Sequence, residues 1–143
     1  MNNFKIFLCV IFLVVGLSAA NAQTYKFLTT GFSVLEKNER GSWGKWSEFE
    51  DASIAITLDT KKDRIVVYSQ EIQLYKIVQY QDEIENENDH TYPFSCVDED
   101  GTPVVITIIT RKNQNNRKQL YITRSNFIVV YNIINFPDPA PKR

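Results

Sequence analysis

Two tryptophans three positions apart, in Gly41-Ser42-Trp43-Gly44-Lys45-Trp46, are the first residues whose type and spacing suggest chemistry. With glycine spacers, Trp43 and Trp46 can form a flat aromatic platform for a sugar ring or a peptide. The alternative is that both cap the end of a β core, where large aromatics bury much area. A second group is the acid cluster Asp82, Glu83, Glu85, Glu87 and Asp89. Carboxylates suit Ca²⁺, which takes six to eight oxygen ligands, but the cluster lacks the glycine and regular spacing of a Ca²⁺ loop and reads as a solvated face. Asp98, Glu99 and Asp100 before Gly101 read as a turn. His90, the single histidine, lies six residues before Cys96. A Cys–His pair can make a thiolate nucleophile, yet no cysteine-protease signature surrounds Cys96. One Cys and one His are too few for a closed zinc site. Paired carboxylates for glycoside hydrolysis are available, with nothing to single out one pair. No Gly-rich phosphate loop, G-x-S-x-G elbow or H-E-x-x-H is present. The sequence therefore implies no cofactor, no metal site and no catalytic constellation.

The elements that must hold these residues are strands. Residues 23–143 are rich in Ile, Val, Tyr, Phe and Thr, which suit a pleated surface. Apolar residues alternate in residues 52–58 (ASIAITL) and 71–80 (EIQLYKIVQY). Residues 64–69 (RIVVYS) follow the polar turn 59–63 and complete a hairpin. Residues 91–97 (TYPFSCV) predict a strand at an edge or a strand start, because Pro93 removes a ladder donor. Residues 103–111 (PVVITIITR) are β-branched almost throughout and predict a strand buried on both faces. Residues 118–124 and 126–134 make another hairpin, and 24–36 predict a first strand bent at Gly31. Residues 81–90 (QDEIENENDH) predict an exposed loop.

About eight strands joined by short polar turns favour sequential antiparallel neighbours. The fold class is all-β, as a small up-and-down barrel or a two-layer meander sandwich. Pairing of the first and last strands would close the sheet and make a ligand cavity plausible. The doublet Gly41-Ser42-Trp43 and Gly44-Lys45-Trp46 resembles the G-x-W pattern near the start of lipocalins. It follows the first strand instead of lying on it, and the family's other motifs are absent. The resemblance implies an eight-stranded barrel architecture and carries over no binding residues.

The N-terminus has three parts: Lys5 in a short leading region, an apolar stretch over 6–17, and the small-residue box Ala20-Asn21-Ala22. This is the pattern of a cleaved secretory signal over residues 1–22. About twelve apolar residues are too few for a hydrocarbon core that needs ~20, so no stable membrane insertion is expected after cleavage. The remaining 121 residues form one domain over 23–136 with a flexible Pro-rich tail over 137–143. Their net charge of about −2 argues against nucleic acid as a partner. Cys9 leaves with the signal, so Cys96 is alone and is either buried or an intermolecular link. With no N-x-S/T sequon in residues 23–143, the chain fits a secreted or periplasmic bacterial protein. The expected function is a non-enzymatic binding or interaction role toward an unknown protein. The alternatives are a barrel binding a small ligand or glycan near Trp43 and Trp46, and a small carboxylate-dependent hydrolase.

Overall fold

The computed structural model describes residues 23–136. The expected signal (1–22) and tail (137–143) lie outside them. Ten strands follow in order: β1 (Thr24–Glu36), β2 (Glu50–Asp51), β3 (Ala55–Asp59), β4 (Arg64–Tyr68), β5 (Ile72–Tyr80), β6 (Ile84–Glu85), β7 (Asp89–Val97), β8 (Pro103–Arg111), β9 (Arg117–Thr123) and β10 (Phe127–Asn135). Eight of them form a closed antiparallel meander. β1 pairs β3, then β4, β5, β7, β8, β9 and β10 follow, and β10 returns to β1. The closing seam is long, running from Phe27 opposite Asn135 to Glu36 opposite Phe127. Up-and-down barrel, not sandwich, is therefore the architecture. The short strands β2 and β6 pair with β1 and β7 outside the closed circuit.

Side chains alternate along each strand, and paired residues share a face. Following the registers from Ile56 to Val67, from Ile65 to Tyr75, and from Phe94 to Ile106 to Ile122 fixes the inner face. Ile56, Ile65, Val67, Tyr75, Ile106 and Leu120 on this face are almost completely buried and fill the barrel centre. Each of the aliphatic ones contributes about 1.5–3 kcal/mol by leaving water. No disulfide assists among the described residues, since Cys96 is a buried free thiol.

The expected bend at Gly31 appears as a register shift between Thr29 and Gly31 against β10. A second shift lies between Ile77 and Gln79 against β7. Two expectations change. Residues 103–111 are buried on one face only: Val104, Ile106 and Ile108 point inward while Val105 is 39% exposed. β-branching there reflects strand preference rather than double burial. Pro93 sits inside β7, opposite Thr107 of β8. Its carbonyl accepts from Gln81 N–H, so its donorless nitrogen points to the same flank, where β5 has ended and β6 has not begun. The missing ladder bond costs nothing at that gap. The expected 81–90 loop also contains β6, and His90 falls on β7.

Candidate functional site

The two ends of the barrel differ. At one end Arg124 Nη1 donates to Asp98 Oδ2 at 2.8 Å and Nη2 to Tyr75 Oη at 3.3 Å. Tyr75 Oη donates to Gln73 Oε1 at 2.6 Å. Asp98 Oδ1 also accepts the amides of Asp100 and Thr102, at 3.0 and 2.9 Å. The acidic turn of residues 98–101 is thus a folded turn whose carboxylate anchors an arginine, with Gly101 at φ 82°. The Arg124 guanidinium, helped by the Thr102 amide, holds the Asp98 carboxyl below the usual carboxylate range. Burial pushes the Tyr75 phenol up, against the lowering effect of Arg124. This end is plugged by a polar network whose members are satisfied.

The opposite end is open. It is formed by the start of β1, the ends of β3 and β5, the start of β7, the end of β8, the start of β9 and the end of β10. Inner-face residues Phe27, Ile56, Leu58, Phe94 and Ile108 are buried and make an apolar floor. Above them Tyr25, Tyr80 and Tyr92 are 43%, 45% and 37% exposed. A space of about 1400 Å³ takes in this mouth together with a groove on the outer face along Lys26, Thr57 and Tyr68, so the mouth itself is only part of it. Such size comes with openness; the barrel centre below the floor is filled. Tyr80 meets Phe94 edge-on at 5.8 Å, and its hydroxyl donates to Asp63 Oδ1 at 2.7 Å. Tyr92 stacks on His90 at 4.4 Å. Burial first, then nearby carboxylates, pushes the phenols of Tyr80 and Tyr92 up, so both stay neutral donors near neutral pH.

The acid cluster is divided among basic partners: Glu83 and Glu85 flank the two nitrogens of His90, the latter at 4.0 Å. His90 Nε2 lies 3.3 Å from Glu83 Oε2. Glu85 Oε1 accepts from Lys112 Nζ at 2.6 Å, which holds its carboxyl below the usual range. Asp89 pairs with Arg111 at 3.2 Å. Among the described residues no group of three or more His, Cys, Asp or Glu could hold a metal ion. His90 and Cys96 share the inner face of β7, but six residues of strand separate them by about 20 Å. Cys96 is buried beside Phe94, and burial pushes its thiol up to about 11. These positions do not form a nucleophile–base pair.

Trp43 and Trp46 lie in the crossover between β1 and β2, on the outside of the barrel. Lys37 Nζ sits 4.9 Å over the Trp43 ring, and Lys37 and Trp43 form an isolated bridge. Trp46 meets Tyr121 of β9 edge-on at 6.3 Å. The rings are 42% and 44% exposed and rest on different elements. Neither lines the cleft, and Trp43 stands near the plugged end. The crossover is laced to β1: Ser33 Oγ donates to Ser47 O at 2.6 Å, and Thr29 Oγ1 to Ala52 O at 3.1 Å. At Gly31 a Cβ would lie 3.1 Å from Glu50 O, so only glycine admits this approach comfortably. The cover accounts for the burial of outward-facing Ser33, while outward-facing Gln119 is enclosed by its bonds with Arg111, Tyr121 and Asn132.

The cleft residues Tyr25, Tyr80, Tyr92 and Lys118 were not among the sequence candidates. Their signal is the same alternation that defined the strands, read to the strand ends, where inner-face aromatics replace branched aliphatics. No family model, no curated protein and no solved structure matches this chain. The fold and the site define it as a closed eight-stranded antiparallel barrel, plugged at one end and open at an aromatic mouth. Among the described residues no helix is long and apolar enough to cross a membrane.

Proposed function

We propose that this chain is an exported, non-enzymatic binding barrel that takes a small amphipathic ligand at its open end. The observation that carries the reading is inner-face Tyr25, Tyr80 and Tyr92 left exposed above a buried apolar floor. Inward aromatics on a closed sheet lose nothing by being covered, and a ligand completes the burial that the filled centre denies them. Export is supported by the sequence of residues 1–22. The test is a calorimetric panel of small aliphatic, aromatic and glycan compounds against residues 23–143, with Tyr92→Ala as comparison. Saturable binding that Tyr92→Ala weakens supports the reading. Binding unaffected by Tyr92→Ala and lost in Trp46→Ala would move the site to the crossover.

A second reading, docking of a protein partner, is favoured by the outer face of β4 and β5. Tyr68 there lies opposite Ile72 and Val66 opposite Leu74, with Tyr68 and Ile72 well exposed. Cross-linking from a cysteine placed at Ile72 in native extracts tests it.

A further inference from the structure

The inner face at the open end carries an amine that meets no carboxylate among the described residues. Lys118 opens β9 opposite Thr110 of β8 and Ile133 of β10, so its side chain shares the face of Leu120 and Ile122. It lines the cleft together with Asn135, which lies opposite Phe27 of the floor. Lys118 Nζ donates to Asn135 Oδ1 at 3.3 Å. Among the described residues it has no carboxylate partner.

Of the described acids near this end, five are engaged elsewhere. Glu83 faces His90, Glu85 faces Lys112, and Asp89 faces Arg111. Asp63 accepts the Tyr80 hydroxyl, and Asp59 accepts the amides of Lys61 and Lys62. An ammonium has three protons to donate, and Asn135 takes one. The Asn135 amide N–H₂ donates to no acceptor among the described residues. Two donors of this kind, one cationic, fit the two oxygens of a single carboxylate. The adjoining floor of Phe27, Phe94 and Ile108 suits an apolar body, and the filled centre below it limits that body to a short one.

We propose that the open end selects an amphipathic monoanion: a carboxylate head on Lys118 and Asn135, and a short aliphatic or aromatic body on the floor. This rests on the reading of the open end as a ligand site. The experiment uses residues 23–143 with octanoate and octan-1-ol, followed by calorimetry and by the amide resonances of Tyr92 and Phe94. A charge-assisted hydrogen bond is worth about 1.5–3 kcal/mol, so octanoate binds about 10- to 150-fold more tightly than octanol. Lys118→Met removes that preference by weakening octanoate binding, with the amide spectrum showing the variant folded; Lys118→Arg keeps it. High salt weakens octanoate binding and not octanol binding in the unaltered protein, a measurement that needs no variant. Equal affinity for the two probes, or a preference that survives in Lys118→Met, overturns the monoanion assignment and leaves the ligand site standing. If neither probe shifts Tyr92 or Phe94, the open end is not a site for short amphiphiles and both proposals fall.

Discussion

Tyr75 on β5 and Arg124, just past β9, meet across the plugged end, with the phenol oxygen 3.3 Å from Nη2. The guanidinium also lies 5.7 Å from the Tyr75 ring and 5.7 Å from Phe127. One side chain thus ties β5, the turn after β7 and the last hairpin. Tyr75→Phe deletes one hydroxyl from this network and is expected to lower stability by about 1 kcal/mol in urea denaturation. Arg124→Met is expected to cost more, because it strands Asp98 and the Tyr75 oxygen together. A result in which the phenylalanine variant is the weaker of the two contradicts this account of the plug.

Asp98 gives the plug a pH signature. Its carboxyl titrates lower in the folded chain than in the unfolded one because Arg124 and the Thr102 amide favour its charge. The stabilisation is therefore present above the unfolded value, about 3.9, and is lost as pH falls through the lower folded value. Asp98→Asn is expected to flatten the fall in melting temperature below about pH 4. An unchanged acid slope in that variant would remove Asp98 as its cause.

Cys96 should behave as an inert core thiol. Folded protein at pH 8 is expected to react with a thiol reagent only on the timescale of unfolding, and to run as a monomer on a non-reducing gel. Its raised value, about 11, means that the stabilisation of the neutral thiol is complete below the unfolded value. It is lost as pH rises from about 8.5 toward the folded value. Cys96→Ser is expected to cost about 1–3 kcal/mol, since it buries a hydroxyl in an apolar place. Rapid labelling of the folded chain would show that Cys96 is not enclosed.

Gly31→Val tests the crossover. The new side chain meets Glu50 O at 3.1 Å and the Phe49 ring at 3.6 Å, so the crossover backbone must yield by a few tenths of an ångström. The expected cost is about 1–3 kcal/mol. It should come with a red shift of tryptophan emission as Trp46 leaves Tyr121. Ligand binding at the open end is expected to persist.

Tyr92→Ala removes one wall of the mouth. A lost aromatic contact of about 0.5–1.5 kcal/mol predicts roughly 2- to 13-fold weaker ligand binding. Trp46→Ala is expected to leave affinity within error. A reversed pattern in titration would assign binding to the crossover.

The strands were legible because one face of each must be apolar, and a period of two exposes that requirement directly. β1 and β8 have the bounds read from sequence, and the bend at Gly31 was visible in its glycine. Pro93 was not legible as an interior position. Its tolerance depends on where β5 stops and β6 starts, which are neighbours distant in sequence. The acids of residues 82–89 looked alike in sequence, and only the positions of His90, Lys112 and Arg111 distinguish them. Trp43 and Trp46 stood out by composition, while the cleft tyrosines stood among many aromatic strand residues. What separates the two groups is which end of which strand faces inward, and that depends on closure.

Closure has a consequence of its own. The seam between β1 and β10 sets the described chain's two limits side by side, with Phe136 N–H bonded to Lys26 O at 2.9 Å. Around the circuit, the sheet has no privileged first strand. A version with these limits joined by a short linker and reopened in the turn at residues 98–101 should rebuild the same wall, although the order of synthesis has rotated. The unrotated chain, by contrast, must wait for its last strand before the first acquires its second neighbour, so completion is postponed until nearly the whole polypeptide is present.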